Sequence, residues 1–283
     1  MKLYLFVLFG ILLLFLNGCA VTSSYAYIEE YEMGISPAPE LRGAGEYLKA
    51  DTSSLRLSGH VNIGPSGKDK RSSIKNELIN CNGLTNCDGF DTVYVAPYVH
   101  AEHEITYPIV TLALDYVHKW DLILMGFGLG MDRGAYFDVL LGFNTKYFEV
   151  GAVAGMWMMA RKFRYSGTEY ECTKYYRSDD ELTYGPFWRS NGTGFSFFYG
   201  GYAAAFIGAF SLNVSFDVYR PDPAFGDDED VVANFDFPLV LTGHATAAYR
   251  INKHWEARLG AVNFTSKFPD KHISVNGGAS YYL

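Results

Sequence analysis

Ser211-Leu-Asn-Val-Ser-Phe-Asp-Val-Tyr219 alternates apolar and polar residues without a break. Successive side chains of an extended chain point to opposite faces. Leu212, Val214, Phe216 and Val218 therefore share one face, and Ser211, Asn213, Ser215, Asp217 and Tyr219 the other. The same period of two recurs on both sides of this stretch. Leu55, Leu57, Val61 and Ile63 alternate with Arg56, Ser58, His60 and Asn62. Leu239, Leu241, Ala245, Ala247 and Tyr249 alternate with Thr242, His244, Thr246 and Arg250. Trp255, Ala257, Leu259 and Ala261 do so with Glu256, Arg258 and Gly260, and the pattern resumes from Ile273 to Leu283. Past residue 20 no run shows helical spacing with caps, so the fold class is all-β.

Ten strands are expected, near 54–63, 107–118, 121–131, 135–143, 147–159, 194–205, 210–220, 236–250, 255–264 and 272–283, with eight or twelve as alternatives. Val93, Val95 and Val99 also alternate, but Pro97 removes a ladder donor, so residues 92–103 are read as loop. Compact turns at 116–121, 143–147 and 249–255 contrast with long connections at 64–106, 160–193 and 221–235. Short turns at one end and long loops at the other are the pattern of an up-and-down transmembrane barrel. An even strand number places Leu283 at the short-turn, periplasmic end. The chain is 283 residues, 17% aromatic, with 22 Tyr and 21 Phe, a composition that suits interfacial girdles and excludes disorder. A net charge of −8 without a basic run argues against nucleic acid as a partner. Two other all-β arrangements show the same alternation, a sandwich and a lipocalin-like barrel with an apolar interior.

Met1 to Cys19 reads as an address: Lys2, an apolar run from Leu3 to Leu16, then Asn17-Gly18-Cys19. The run is too short to cross a bilayer comfortably and fits a signal peptide over residues 1–18. Leu16-Asn-Gly-Cys19 resembles the bacterial lipobox, which implies lipidation of Cys19 in an exported protein. Residues 19–51, polar and punctuated by Gly and Pro, are read as a tether, and 52–283 as the barrel domain. Cys81 and Cys87 bracket a turn-rich segment and are disulfide candidates in an oxidising compartment, with Cys172 left over or pairing with one of the two. No cluster has metal-ligand spacing, and no cofactor is expected.

Signal, strand pattern and the alternate Tyr281 and Leu283 at the terminus together resemble lipobox-bearing outer-membrane β-barrel proteins as a general class. The resemblance implies an outer-membrane location with membrane lipid as a partner. With apolar faces toward lipid, the lumen collects Arg56, His60, Asp115, Asp138, Glu149, Asp217, His244, Arg250, Glu256 and Arg258. Both signs of charge are present, which reads as a self-satisfying polar filling, not a catalytic set, and no enzyme is expected. Function is assigned to the long loops, where Tyr175, Tyr176, Phe187 and Trp188 stand beside arginines as candidates for contact with an extracellular polymer or protein. The expected role is structural or surface-interacting; the alternatives are a small pore or transporter, or a periplasmic lipoprotein that binds an apolar ligand.

Val214→Arg, mid-strand on the lipid face, is expected to block membrane integration at a cost of roughly 2–4 kcal/mol. Ser215→Arg is expected to be better tolerated if the lumen has room. Heat-modifiable gel mobility of the carbonate-extracted membrane fraction reads both, and equal effects would undo the face assignment.

Overall fold

The computed structural model describes residues 21–74, 98–174, 181–223, 231–232, 239–265 and 272–283. Its elements are β1 (Val21–Gly34), β2 (Thr52–Ile63), β3 (Gly67–Ile74), β4 (Tyr98–Ile105), β5 (Ile109–Trp120), β6 (Ile123–Asp132), β7 (Gly134–Asn144), β8 (Phe148–Lys174), β9 (Glu181–Ile207), β10 (Phe210–Tyr219), β11 (Asp222–Pro223), β12 (Val231–Val232), β13 (Val240–Arg250), β14 (Trp255–Thr265) and β15 (His272–Tyr282).

Ten of these, β2, β5 to β10 and β13 to β15, pair antiparallel in chain order, and β15 pairs back onto β2 through Val275↔Ile63 to Tyr282↔Arg56. The barrel is closed, which removes the unpaired edges a membrane cannot tolerate. The ten expected strands are the ten observed ones, each within a few residues of its expected limits except β8 and β9. Leu283 lies at the short-turn end, where its N–H donates to Leu55 O at 2.9 Å.

The apolar faces point outward. Val214 is 55% exposed, and Leu112, Leu141, Leu212, Phe216, Leu259 and Val275 are exposed with it, while Ser215, Asp217, His244 and Arg258 are buried. This inside-out distribution is that of an outer-membrane β-barrel and rules out the lipocalin-like and sandwich arrangements. Trp120, Phe143, Tyr147, Phe148, Phe210, Tyr249 and Trp255 are all exposed at or beside the short turns. They form a girdle at one interface, where amphipathic rings reside.

Three expectations change. Residues 160–174 and 181–193 are strand, not loop: β8 and β9 are 27 residues each, against 10 to 12 in the other barrel strands. Their pairing continues from the barrel to Thr173↔Glu181. β4, within the stretch read as loop, is a strand too, but it joins β1 and β3 outside the barrel, so the count of ten is untouched. The stretch 19–51 differs more. From residue 21 it is β1, paired with the β8 extension, followed by a segment over 35–51 that runs down the lumen with Ile35, Ser36, Ala38, Leu41, Ala44 and Leu48 buried. A tether would be solvated; this segment is core.

The lumen therefore offers no spare room beside Ser215, which is itself buried. Ser215→Arg is expected to lower the folded fraction as well, by overpacking, with the loss relieved in a chain whose segment 35–48 is loosened. Val214→Arg gains nothing from that loosening, and the same gel assay separates the two.

Candidate functional site

Two features concentrate polar chemistry: the lumen with its threaded segment, and the sheet that stands beyond the loop-end rim.

The segment enters the lumen from the loop end. Ile35 N–H donates to Glu104 O at 3.0 Å, and at the other end Asp51 N–H donates to Lys119 O at 2.8 Å. Between them the backbone is neither helix nor strand, so its buried N–H and C=O groups need partners from elsewhere. The barrel wall supplies them. Tyr219 donates its hydroxyl to Ser36 O. Ala38 N–H donates to Thr242 Oγ1 at 3.1 Å, and His244 Nε2 lies 3.1 Å from Ala38 O. Ala44 N–H donates to Glu149 Oε1 at 3.0 Å, and Leu48 N–H to Asn144 Oδ1 at 3.0 Å. Lys119 Nζ donates to Leu48 O at 2.8 Å.

Charges hold the middle. Arg258 Nη2 lies 2.8 Å from both carboxylate oxygens of Glu40, and Asn213 Nδ2 adds a bond to Glu40 at 3.1 Å. Arg42 donates to Ser58 Oγ at 2.9 Å, and Arg56 pairs with Asp115 at 2.8 Å. Nearer the short turns, Arg250 pairs with Glu46. Two glycines permit the threading. A Cβ on Gly43 would fall 1.4 Å from Glu149 Oε1, and Gly45 has φ +73°, a conformation that favours glycine. The space left beside the segment at this level is about 20 Å³, enough for one water. Above it, Ile35, Ile105, Trp157, Met159, Phe163, Val240 and Phe264 form an apolar layer across the loop-end mouth. Trp157 donates its indole N–H to Asp132 O at 2.9 Å.

All ten residues expected to line the lumen do so; Arg56, His60, Glu149, Asp217, His244, Glu256 and Arg258 are fully buried. Sequence reasoning missed their partners, Glu40, Arg42 and Glu46. The available signal was the burial-prone Ile35, Leu41 and Leu48 within a stretch dismissed as polar.

Beyond the rim, the extensions of β8 and β9 join β1, β4 and β3 in the order β9-β8-β1-β4-β3. Paired residues share a face, so the register writes two cross-strand rows. The first is Trp188–Ser166–Glu30–His100; the second is Ser190–Arg164–Glu32–Glu102–Lys70. The opposite face carries Tyr31, Met33, Phe163, Tyr165 and Phe187, all buried. In the second row Glu32 and Glu102 stand directly opposite, a repulsive placement. Lys68 resolves it, 3.3 Å from one and 2.7 Å from the other, and Lys70 lies 3.2 Å from Glu102. Hydrogen bonds from Lys68 and then Lys70 hold the Glu102 carboxyl below its usual range. A cleft of about 800 Å³ lies over the two rows.

Of the expected contact residues, Trp188 lines this cleft and is 85% exposed. Phe187 does not: one residue along the strand, it points to the other face and packs edge-on against Tyr165 at 6.0 Å. Tyr175, Tyr176, Cys19, Cys81 and Cys87 lie outside the described residues.

No family model and no curated protein matches the chain. Among solved structures, a porin is 10% identical over 61% of this chain, with a TM-score of 0.22; the match spans 62% of the porin, under two thirds of its length. The P. putida toluene transporter TodX is 11% identical over 83% of this chain and 90% of its own, with a TM-score of 0.27. A deltaS2 mutant of the TodX monoaromatic hydrocarbon channel is 8% identical over the same shares, also at 0.27. The membrane placement of this chain rests on its own outward apolar belt and inward polar network.

Removing one partner of the Glu40–Arg258 pair leaves the other charge buried and uncompensated. Glu40→Ala is expected to cost about 3–5 kcal/mol, read as a lower urea midpoint in detergent micelles. Glu40→Ala with Arg258→Ala together should lose less than the sum of the two single changes; strict additivity would mean that the pair is not coupled.

Proposed function

We propose that this protein is an outer-membrane channel that its own N-terminal segment keeps closed. One observation carries the reading: the lumen is filled by a separate stretch of chain, residues 35–48, fastened to the wall mainly by hydrogen bonds and ion pairs. The wall behind it carries Arg56, Asp115, Glu149, Asp217, His244, Glu256 and Arg258. Withdrawal of the segment exposes these charged groups to water in the middle of the lumen, beside inward apolar residues such as Leu124, Leu140 and Val153, and the charged level supports a hydrated path. An interior made for an apolar ligand would present the opposite surface. The lumen carboxylates and histidines serve as partners of the segment and the wall, and the reading is non-enzymatic.

Planar-bilayer recording of the full chain is expected to show a closed baseline with rare openings. Glu40→Ala and Arg42→Ala together should lengthen and multiply those openings. Silence of both proteins after verified insertion overturns the channel reading.

A second reading, a surface-interaction role through the loop-end sheet, is favoured by the cleft and its exposed Trp188. It is compatible with a barrel that never conducts.

We also propose that Cys19 carries the lipid its motif implies. β1 begins at Val21, paired with Lys174 some dozen residues beyond the barrel rim, so the strand that follows the motif lies on the loop side. Mass spectrometry of the mature chain is expected to find acylated Cys19. Glu29→Cys, made with the other non-lipidated cysteines replaced by serine, should react with a membrane-impermeant maleimide on intact cells. Labelling only after permeabilisation would place this strand on the periplasmic side.

A further inference from the structure

We infer that the loop-end cleft is a binding site for a neutral saccharide, with Trp188 as the stacking platform. Three carboxylates (Glu30, Glu32 and Glu102) and three cations (Lys68, Lys70 and Arg164) stand on the cleft's face, so it has no net field to draw a polyanion or a polycation. Most of these charges are also engaged with one another. Glu102 is bound by Lys68 and Lys70, and Glu32 by Lys68 and by Arg164 at 3.8 Å.

What stays available is a different chemistry. The Trp188 ring is 85% exposed, and among the described residues it packs against no other ring. Its cross-strand neighbours Ser166 and Glu30 complete the same row, and Ser190 begins the next. The two hydroxyls and the Glu30 carboxylate make no hydrogen bond or ion pair among the described residues, and Glu30 is exposed. Trp188 to Glu30 is two strand spacings, about 10 Å. A flat apolar ring, a carboxylate with two acceptor oxygens and hydroxyls that both donate and accept match a ligand with a C–H face and a rim of hydroxyls. That ligand is a sugar. A volume of about 800 Å³ is in the range of ligand pockets and accommodates more than one ring.

The site is also built to be held still. The opposite face of the same sheet packs Tyr31, Tyr165 and Phe187 into a buried layer, so the row of Trp188, Ser166 and Glu30 stands on a fixed floor. The pairings of β8 on β9 and of β1 on β8 position it, the second with a register shift between Ile28 and Glu30 that sets Glu30 opposite Ser166.

The test uses the full protein in detergent micelles, titrated with neutral tetrasaccharides of glucose, galactose, mannose and N-acetylglucosamine. Of the four tryptophans, Trp188 is isolated by the difference between wild type and Trp188→Phe. At least one of these sugars is expected to bind saturably at millimolar concentration, changing the Trp188 emission. Trp188→Ala, which removes the reporting ring and is followed by isothermal titration calorimetry alongside wild type, should weaken that binding roughly tenfold or more, as for an aromatic anchor. Trp188→Phe should retain part of it, and Glu30→Gln should weaken it while leaving the heat-modifiable mobility unchanged. Binding that is indifferent to Trp188→Ala, or no binding by any of the four sugars, overturns the inference, as does binding of a peptide or an anionic polymer alone. The inference deepens the surface-interaction reading and stands apart from conductance. A barrel that conducts and binds no sugar overturns this inference alone; one that binds sugar and never conducts overturns only the channel.

Discussion

The ion pair between Glu40 and Arg258, at the midpoint of the lumen, is the contact on which the rest of the molecule turns. Eight strands close around a space that their own side chains fill; ten strands leave more, and the excess must be occupied or hydrated. Here it is occupied by chain. A stretch without helix or strand inside a barrel is admissible only where each buried backbone group finds a partner. Tyr219, Thr242, Glu149, Asn144 and Lys119 supply those partners from five different strands. The Glu40–Arg258 pair and the neighbouring Arg42 fix the height at which the segment sits.

Two consequences follow from that one arrangement. The segment runs from the loop end to the start of β2, so everything before it is delivered to the loop end, where β1 completes a sheet with β8 and β4. The barrel thus presents its own N-terminal strand beyond the rim. The same strand that hangs over the lumen also contributes Glu30 and Glu32 to the cleft, so the outer surface and the closed lumen are parts of one continuous piece of chain. A ligand that binds one conformation of β1 better than another shifts the balance between them by its difference in affinity, and by no more.

The membrane surface obeys a simpler rule. The outward side chains of the barrel strands are largely apolar, and the charged ones stand inward together with a set of inward apolar residues such as Leu124, Leu140 and Val153, with rings collected at the short-turn interface. Closure satisfies the backbone, and lipid accepts the rest. The two halves of each strand's alternation are therefore put to separate uses, one in holding the barrel in lipid and the other in holding the segment in the lumen.

Much of this was legible in the residues themselves. The period of two in Ser211–Tyr219 and its counterparts determined strand class, the number of barrel strands and the limits of all of them but β8 and β9, because side-chain alternation is a local property of an extended backbone. It also named the lumen residues, since each faces away from the apolar side. Tertiary structure alone decided what those residues meet. Glu40 and Arg258 are 218 positions apart, Ala38 and Thr242 are 204 apart, and nothing local announces either contact. The stretch 160–193 looked like a loop because its composition is polar and aromatic on both faces; residues 160–174 and 181–193 are strand, and β1, far off in sequence, pairs along the first of them. Trp188 and Phe187 stand next to each other and have opposite fates, one in the cleft and one in the core. Alternation guarantees that they differ, and only the packing of the sheet against Tyr165 decides which of them is free.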